Sequence, residues 1–200
     1  AIIVGYAGDK LNIFGGTVIG SQKASAGGSI FMKVAGEITI YGGTVKNGKA
    51  TGGGGNLYIT DGNTYIKGGT IENGTAKIGG NINVYKTAVL HIEGGTISGG
   101  SSTGTTGGDG GGNIYVGAGS ETTGGVIMTG GTVSGGTAVL DGGNINTNRG
   151  YLTVSGGTIT TGDAEGNGGG IYVGYNGTGV TISGSAKIYG NAVTDICRSA

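Results

Sequence analysis

The chain of 200 residues contains no proline and no tryptophan, and its one cysteine is Cys197. Proline lacks the backbone N–H that a strand inside a sheet donates, so its absence suits a chain whose strands pair on both sides. One cysteine cannot form a disulfide framework within the chain. We interpret Cys197 as a free thiol, with a disulfide between subunits as the alternative, and we expect hydrogen bonding and packing to hold the fold.

Charged residues are also scarce. Eleven acidic and eleven basic side chains give a formal net charge of zero. Recognition of nucleic acid or an anionic membrane through overall charge requires a clear basic excess, so neither partner is expected. No apolar run approaches the roughly 18 residues that a membrane-spanning helix needs, and no signal peptide is visible. The sequence begins inside a strand pattern, so we expect a processed or excised segment, which leaves its compartment open.

Glycine, in contrast, accounts for 54 residues and recurs in two short phrases. The phrase Gly-Gly-Thr-Val/Ile begins at Gly15, Gly42, Gly68, Gly94, Gly130 and Gly156, with a degenerate copy at Gly184. The phrase Gly-Gly-Asn-Ile, or a close variant of it, begins at Gly27, Gly54, Gly79, Gly111, Gly142 and Gly168. The copies lie 25–36 residues apart. Self-similarity at such a period is the signature of stacked repeats.

Apolar residues alternate with polar ones beside both phrases. Leu90 and Ile92 precede one Gly-Gly-Thr-Ile phrase, and Leu57 and Ile59 alternate in the strand of a Gly-Gly-Asn phrase. Thr64 is the one clear case of a polar residue at an apolar position. Period-two alternation predicts strands with one buried face, and no amphipathic helix pattern occurs. We therefore predict an all-β parallel β-helix (a β-solenoid). It has about seven coils of 25–36 residues, three short strands per coil and no capping helix, in a single domain over residues 1–200.

Both ends of the pattern are predicted to expose strand edges. Ile2, Ile3 and Val4 fit a truncated first copy of the Gly-Gly-Asn-Ile strand, and Ile196 lies 25 residues after Ile171, at the start of an eighth coil. Uncapped edges invite further strand pairing. We expect either a longer solenoid or end-to-end stacking of subunits through these assembly ends.

Outward positions of the strand after Gly-Gly-Asn-Ile form a stripe of aromatic and amide side chains. The stripe comprises Phe31, Tyr58, Asn83, Tyr115, Asn146 and Tyr172. Tyr58, Tyr115 and Tyr172 are the candidate ligand-binding residues, because sugar rings stack on aromatic faces. Cross-strand stacking is the preferred structural interpretation. The corner asparagines Asn56, Asn81, Asn113 and Asn144 predict an internal amide ladder.

Other polar groups give three further hypotheses. Asp109, Asp141 and Asp163 end successive coils, so their oxygens are a calcium candidate, although we prefer to interpret them as solvated turn carboxylates. His91, the only histidine, is predicted to lie on the surface beside Tyr65, with no nucleophile motif around it. Asn-Gly-Thr sequons at Asn73 and Asn176 are candidate glycosylation sites.

A threonine column raises ice binding as a further alternative. Its members are Thr17, Thr44, Thr70, Thr96, Thr132 and Thr158. An ice-binding face needs two or more uncharged columns side by side. The neighbouring column contains Lys46 and Glu72, so charges interrupt it. Ice binding is therefore the lesser alternative.

At the level of these repeats the whole chain resembles the right-handed parallel β-helix repeat proteins of bacterial surfaces, in the pectin-lyase-like superfamily. Gly-Gly-Asn-Ile, with Ile71-Glu72-Asn73 and Val45-Lys46-Asn47, is similar to the Gly-Gly-Ala-Ile and Phe-x-x-Asn motifs of polymorphic outer-membrane proteins and autotransporter passengers. Asn replaces Ala, Ile or Val replaces Phe, and the second motif is one residue shorter. The resemblance implies right-handed winding and an extracellular adhesive or structural role. Lyases of the superfamily use an acidic calcium site and an Arg base, whereas Arg149 and Arg198 here lie beside no acidic cluster in the sequence pattern.

We therefore expect a non-catalytic, extracellular bacterial protein whose rigid β-solenoid acts as a stalk, an adhesin segment or a self-stacking filament subunit. The competing class is a carbohydrate-binding or polysaccharide-degrading β-helix protein that uses the tyrosine stripe and the acidic corner. No cofactor is expected. The expected partners are a second copy, joined end to end, and a surface polysaccharide.

Overall fold

The computed structural model describes residues 1–117 and 124–199, and it describes their side chains except at residues 176–178. Within these residues the secondary structure consists of 24 strands and no helix. The strands pair in parallel with their equivalents in the neighbouring coils. The chain is thus a β-solenoid of about seven coils, as the repeats predicted.

Face A is formed by the strands that follow the Gly-Gly-Asn-Ile phrases. Its strands are Ile2–Val4, Ile30–Met32, Leu57–Ile59, Ile82–Tyr85, Ile114–Gly117, the first parts of Ile145–Val154 and Ile171–Ile182, and Ile196–Arg198. Leu57 pairs with Ile82, which pairs in turn with Ile114. Equivalent residues therefore lie directly above one another, which confirms the register that the repeats predicted.

Face B carries the strands that precede the Gly-Gly-Thr phrases. Its strands are Lys10–Ile13, Gly36–Ile40, Gly62–Ile66, Val89–Ile92, Gly125–Met128 and the second parts of Ile145–Val154 and Ile171–Ile182. The last two strands run through both faces, with register shifts near Arg149, and join A and B into one 13-stranded sheet.

Face C follows the Gly-Gly corners and contains seven strands. They are Thr17–Ile19, Thr44–Lys46, Thr70–Glu72, Thr96–Ser98, Thr132–Ser134, Thr158–Thr160 and Lys187–Tyr189. Face D is a ladder of four two-residue strands, Thr75–Ala76, Ser101–Ser102, Thr137–Ala138 and Asp163–Ala164. Three main strand columns per coil are thus confirmed, and face D adds a short fourth whose second residue is Ala76, Ser102, Ala138 or Ala164.

The core lies on the axis and is filled by side chains of faces A, B and C. In one central coil Ile82, Val84, Leu90, Ile92 and Ile97 are fully buried. The same alternation repeats in the neighbouring coils, so the aliphatic columns form one continuous cluster. Burial of apolar surface in every coil, together with the parallel ladders between coils, makes each coil depend on its neighbours.

One corner has a left-handed backbone in all coils but the first. The residue after six of the seven face C strands has a positive φ, as at Asn47 (59°), Asn73 (55°), Gly99 (61°) and Thr161 (52°). Glycine and asparagine adopt this conformation readily, whereas threonine is strained there. Gly55 serves a different need, because a Cβ at this position would overlap backbone atoms of the next coil at Gly80 and Thr75.

The first and last coils leave apolar side chains in solvent. Ile2–Val4 pairs on one side with Ile30–Met32, and Ile196–Arg198 pairs with residues 171–173, as predicted. Ile3 is 64% exposed and Ile196 is 42% exposed. These edges belong to the assembly ends named in the sequence analysis.

Candidate functional site

The asparagine ladder predicted from the corner positions is present and fully buried. Asn56 Nδ2 donates to Asn81 Oδ1 at 2.7 Å, and Asn81 Nδ2 donates to Asn113 Oδ1 at 2.8 Å. Asn113 Nδ2 continues the chain to Asn144 Oδ1 at 2.7 Å. Each side chain also accepts a backbone N–H and donates to a backbone carbonyl, as Asn113 does with Gly100 N and Ser134 O. The four amides are therefore satisfied and link neighbouring coils.

The ladder has a further member that the repeat did not predict. Gly170 occupies the position where four other coils have asparagine and the first has Ser29, and Asn191 places its side chain there from another part of the chain. Asn144 Nδ2 donates to Asn191 Oδ1 at 3.0 Å, and Gly162 N donates to the same oxygen at 2.9 Å. A side chain at Gly170 would overlap Asn191. The glycine at this position therefore leaves the space in which the Asn191 amide continues the ladder.

The aromatic stripe is only partly brought together. Tyr58, Asn83 and Tyr115 are direct neighbours in register on face A. Tyr172 lies beyond Asn146, two coils from Tyr115. Of the three predicted tyrosines, Tyr58 and Tyr115 line a shared groove, and Tyr172 is not among its lining residues.

The groove has a volume of about 440 Å³, which is within the usual range for small-ligand pockets. Its walls are Tyr58, Ile78, Asn83, Tyr85, Tyr115, Gly117, Asn148 and Arg149. The Tyr58 and Tyr85 rings lie 6.1 Å apart at 45°. The Tyr115 ring lies over Gly117, and its hydroxyl accepts a 2.8 Å hydrogen bond from Asn148 Nδ2. The groove therefore has aromatic walls, and the hydrogen bond from Asn148 holds one of them, Tyr115, in place.

Burial favours the protonated, uncharged hydroxyls of Tyr58 and Tyr115 by raising their pKa values. It raises the pKa of Tyr58, with a smaller contribution from Tyr85. Burial also raises the pKa of Tyr115, although the hydrogen bond from Asn148 opposes this shift. Asn83 is fully buried between these rings, and neither its Nδ2 nor its Oδ1 has a hydrogen-bond partner. The groove thus combines neutral hydroxyls, aromatic surface and an unsatisfied amide.

Sequence reasoning missed Tyr85, Asn148 and Arg149. Tyr85 lies at the end of its strand, and the other two occupy the bend of the long strand Ile145–Val154. These positions do not recur in the repeat, so only the stacking of the coils brings them beside Tyr115. The aromatic character of Tyr85 was the one available signal.

The acidic corner residues are held in separate interactions. Asp109 Oδ2 pairs with Lys77 Nζ at 3.4 Å, and Asp141 Oδ1 accepts from Asn167 N at 2.8 Å. Asp163 is exposed on face D. No group of three or more acidic, histidine or cysteine side chains able to hold a metal occurs in the described part of the chain. The geometry gives the calcium hypothesis no support.

His91 stacks on Tyr65 with ring centroids 4.5 Å apart, as its column predicted. Its Nε2 lies 3.3 Å from Asn63 Oδ1. Partial burial lowers the pKa of His91, and the Glu93 carboxylate partly offsets this effect. Lys67 Nζ and Glu93 Oε2, in adjacent coils, form an ion pair at 3.8 Å. Cys197 is a free, partly exposed thiol.

The glycosylation sites and the threonine column are predicted surface features. Asn73 is exposed at its corner, while the side chain of Asn176 lies outside the described residues. The threonine column is aligned, as in the pairing of Thr70 with Thr96, and Glu72 stands beside Ser98 in the next column. Among the residues described, no helix is long and apolar enough to cross a membrane.

Together these observations define the class of protein as a parallel β-solenoid with a buried amide ladder and one aromatic groove. No protein-family model, curated protein or solved structure matches the chain.

Proposed function

We propose that the chain is a non-catalytic structural element, a rigid β-solenoid of a bacterial cell surface that serves as a stalk, an adhesin segment or a filament subunit. The observation that carries this proposal is the unbroken axial core, reinforced by the asparagine ladder. Bending the rod would separate backbone ladders, aliphatic columns and amide bonds at the same time. Seven coils at about 4.8 Å each give a rod on the order of 34 Å long.

The extracellular bacterial location is supported by the repeat pattern. The Gly-Gly-Asn-Ile phrases resemble the Gly-Gly-Ala-Ile motifs of bacterial surface solenoids. A fold held by ladders and core packing needs neither a disulfide nor a bound group to stay stiff, which suits a stalk outside the cell.

The proposal includes association end to end. Ile3 and Ile196 lie on strands with one described neighbour each, and both side chains are exposed. Such edges pair readily with further strands. The edges would be covered in the same way by additional coils of a longer chain or by a second copy.

Negative-stain microscopy and sedimentation of the 200-residue chain test the association. We expect linear polymers whose length grows with concentration. Ile3→Lys combined with Ile196→Lys should shorten them, because charges on edge strands oppose pairing. Tyr6→Lys is the matched control, since Tyr6 is 81% exposed but lies in a turn. A chain that stays monomeric at high concentration contradicts self-stacking, and EDTA-sensitive depolymerisation of a polyuronate would contradict the non-catalytic assignment.

A further inference from the structure

The groove on face A is more than a stacked aromatic ladder. Its walls come from four coils, since Tyr58, Asn83, Tyr115 and Asn148 belong to successive face A strands. In a simple ladder the ring of each tyrosine would pack on the next, as Phe14 and Tyr41 do at 4.9 Å and 4° elsewhere. Here Asn83 interrupts the column, so Tyr58 and Tyr115 face each other across an amide.

Asn83 is the group that the fold leaves incomplete. Its exposed fraction is 0%, and both polar atoms of its side chain lack partners. In the asparagine ladder, by contrast, every amide is satisfied from both sides. An unpartnered buried amide costs free energy, so its presence in a groove indicates that a ligand completes it.

We propose that this groove binds a sugar ring that carries an anionic substituent. Asn83 exchanges hydrogen bonds with a ring hydroxyl, Tyr58 and Tyr115 contact the ring, and Arg149 binds the substituent. A hydroxyl both donates and accepts, which matches an amide whose donor and acceptor are both unused. The Asn83 amide is fully buried, and it lies with the half-buried Tyr58 ring against Gly53, so a ligand can reach it only if a neighbouring side chain such as Tyr58 rotates.

The aromatic walls select for a ring with apolar faces. The hydroxyls of Tyr58 and Tyr115 remain protonated and uncharged, so an anion is not repelled by them. Tyr and Asn side chains offer contact area and hydrogen bonding together, as a sugar requires.

Arg149 is the reason that we expect the ligand to carry a negative charge. Its side chain is exposed at the groove edge, and no ion pair to it is formed within residues 1–117 and 124–199. A guanidinium binds carboxylate and sulfate oxygens through two parallel hydrogen bonds. The nearby Asp109 carboxylate is already paired with Lys77.

A glycan array of neutral and acidic oligosaccharides, probed with the 200-residue chain, tests the proposal. We expect acidic glycans to bind and their neutral counterparts to bind less. The strongest acidic glycan and its neutral counterpart are then titrated by calorimetry against the wild type and three variants. Asn83→Leu preserves the branched shape of the side chain and should weaken binding by about tenfold. Arg149→Gln should remove the preference for the acidic glycan.

Tyr6→Ala is the control variant, because Tyr6 is exposed outside the groove. Circular dichroism establishes that every variant keeps its strand content, so a loss of binding is separated from a loss of fold. The proposal is overturned if no glycan binds, if Asn83→Leu binds as tightly as the wild type, or if Tyr6→Ala loses binding equally. None of these results bears on whether the solenoid is a structural rod.

Discussion

Thr64 is the one polar side chain in the inner aliphatic column of face B, and its replacement by valine should stabilise the protein. Thr64 is fully buried, and its Oγ1 has no hydrogen-bond partner. Its neighbours in register are Ile38 and Leu90, which are fully buried and apolar. Valine has the same branched shape, so the substitution removes an unpaired hydroxyl without changing the packing volume greatly.

The expected gain follows from the cost of an unsatisfied buried hydroxyl, which is about 1–3 kcal/mol in mutational data. For a chain of this size each kcal/mol raises Tm by about 2–4 °C. Urea and thermal unfolding followed by circular dichroism measure the change. Thr96→Val is the matched control, because Thr96 is a strand residue with a partly exposed side chain on face C. The control should change stability by no more than about 0.5 kcal/mol.

The reasoning is refuted if Thr64→Val leaves stability unchanged or lowers it. It is also refuted if Thr96→Val gives an equal gain, because the effect would then reflect strand propensity and not the buried hydroxyl.

Two more substitutions and one pH dependence test other features. Asn113→Ala should destabilise the protein by on the order of 4 kcal/mol, because the buried N–H of Gly100 loses its acceptor and three other groups each lose one hydrogen bond of the asparagine ladder. Thr161→Asn should stabilise by about 1 kcal/mol, because asparagine tolerates the φ of 52° and keeps an acceptor for the N–H of Gly135. Stability should fall as the pH drops below about 6.5, because burial lowers the pKa of His91 and the unfolded chain takes up its proton first.

Urea midpoints report all three effects. Asn12→Ala, on the outer surface of face B, is the control for the ladder and should be nearly neutral. A Thr161→Asn variant no more stable than the wild type would mean that the corner is unstrained. His91→Gln should show a shallower decline between pH 7.5 and pH 5 than the wild type, and identical pH profiles would contradict the assigned role of His91.

The repeats predicted most of the fold because each of the two glycine phrases occurs six times at a similar spacing. Each copy has Gly-Gly at the same corner and apolar residues at alternate positions. The register that aligns Leu57, Ile82 and Ile114 therefore follows from the sequence alone. The asparagine ladder was predictable for the same reason. The role of Asn191 was not predictable, because this residue does not occupy the repeat position of the other ladder asparagines. It reaches the ladder only because residue 170 is a glycine.

The groove depended on features that periodicity does not contain. Tyr58 and Tyr115 were visible as outward residues, but the sequence could not distinguish them from Tyr172. What separates them is Asn83, which is covered by its neighbours, and Arg149, which lies in a strand bend where the register shifts. The positions of residues in bends depend on how the coils stack in three dimensions. The repeat pattern of a single coil therefore does not predict them.

The amides along the axis all point the same way. From Asn56 to Asn191 each Nδ2 faces the following coil, and Asn191 Nδ2 finally meets the carboxylate Oδ1 of Asp195 at 2.8 Å. Their dipoles therefore add, as peptide dipoles do in a helix, and the row has a positive terminus beside a negative charge. The solenoid consequently has a dipole along its length. Head-to-tail stacking of two solenoids aligns their dipoles, whereas head-to-head or tail-to-tail stacking opposes them.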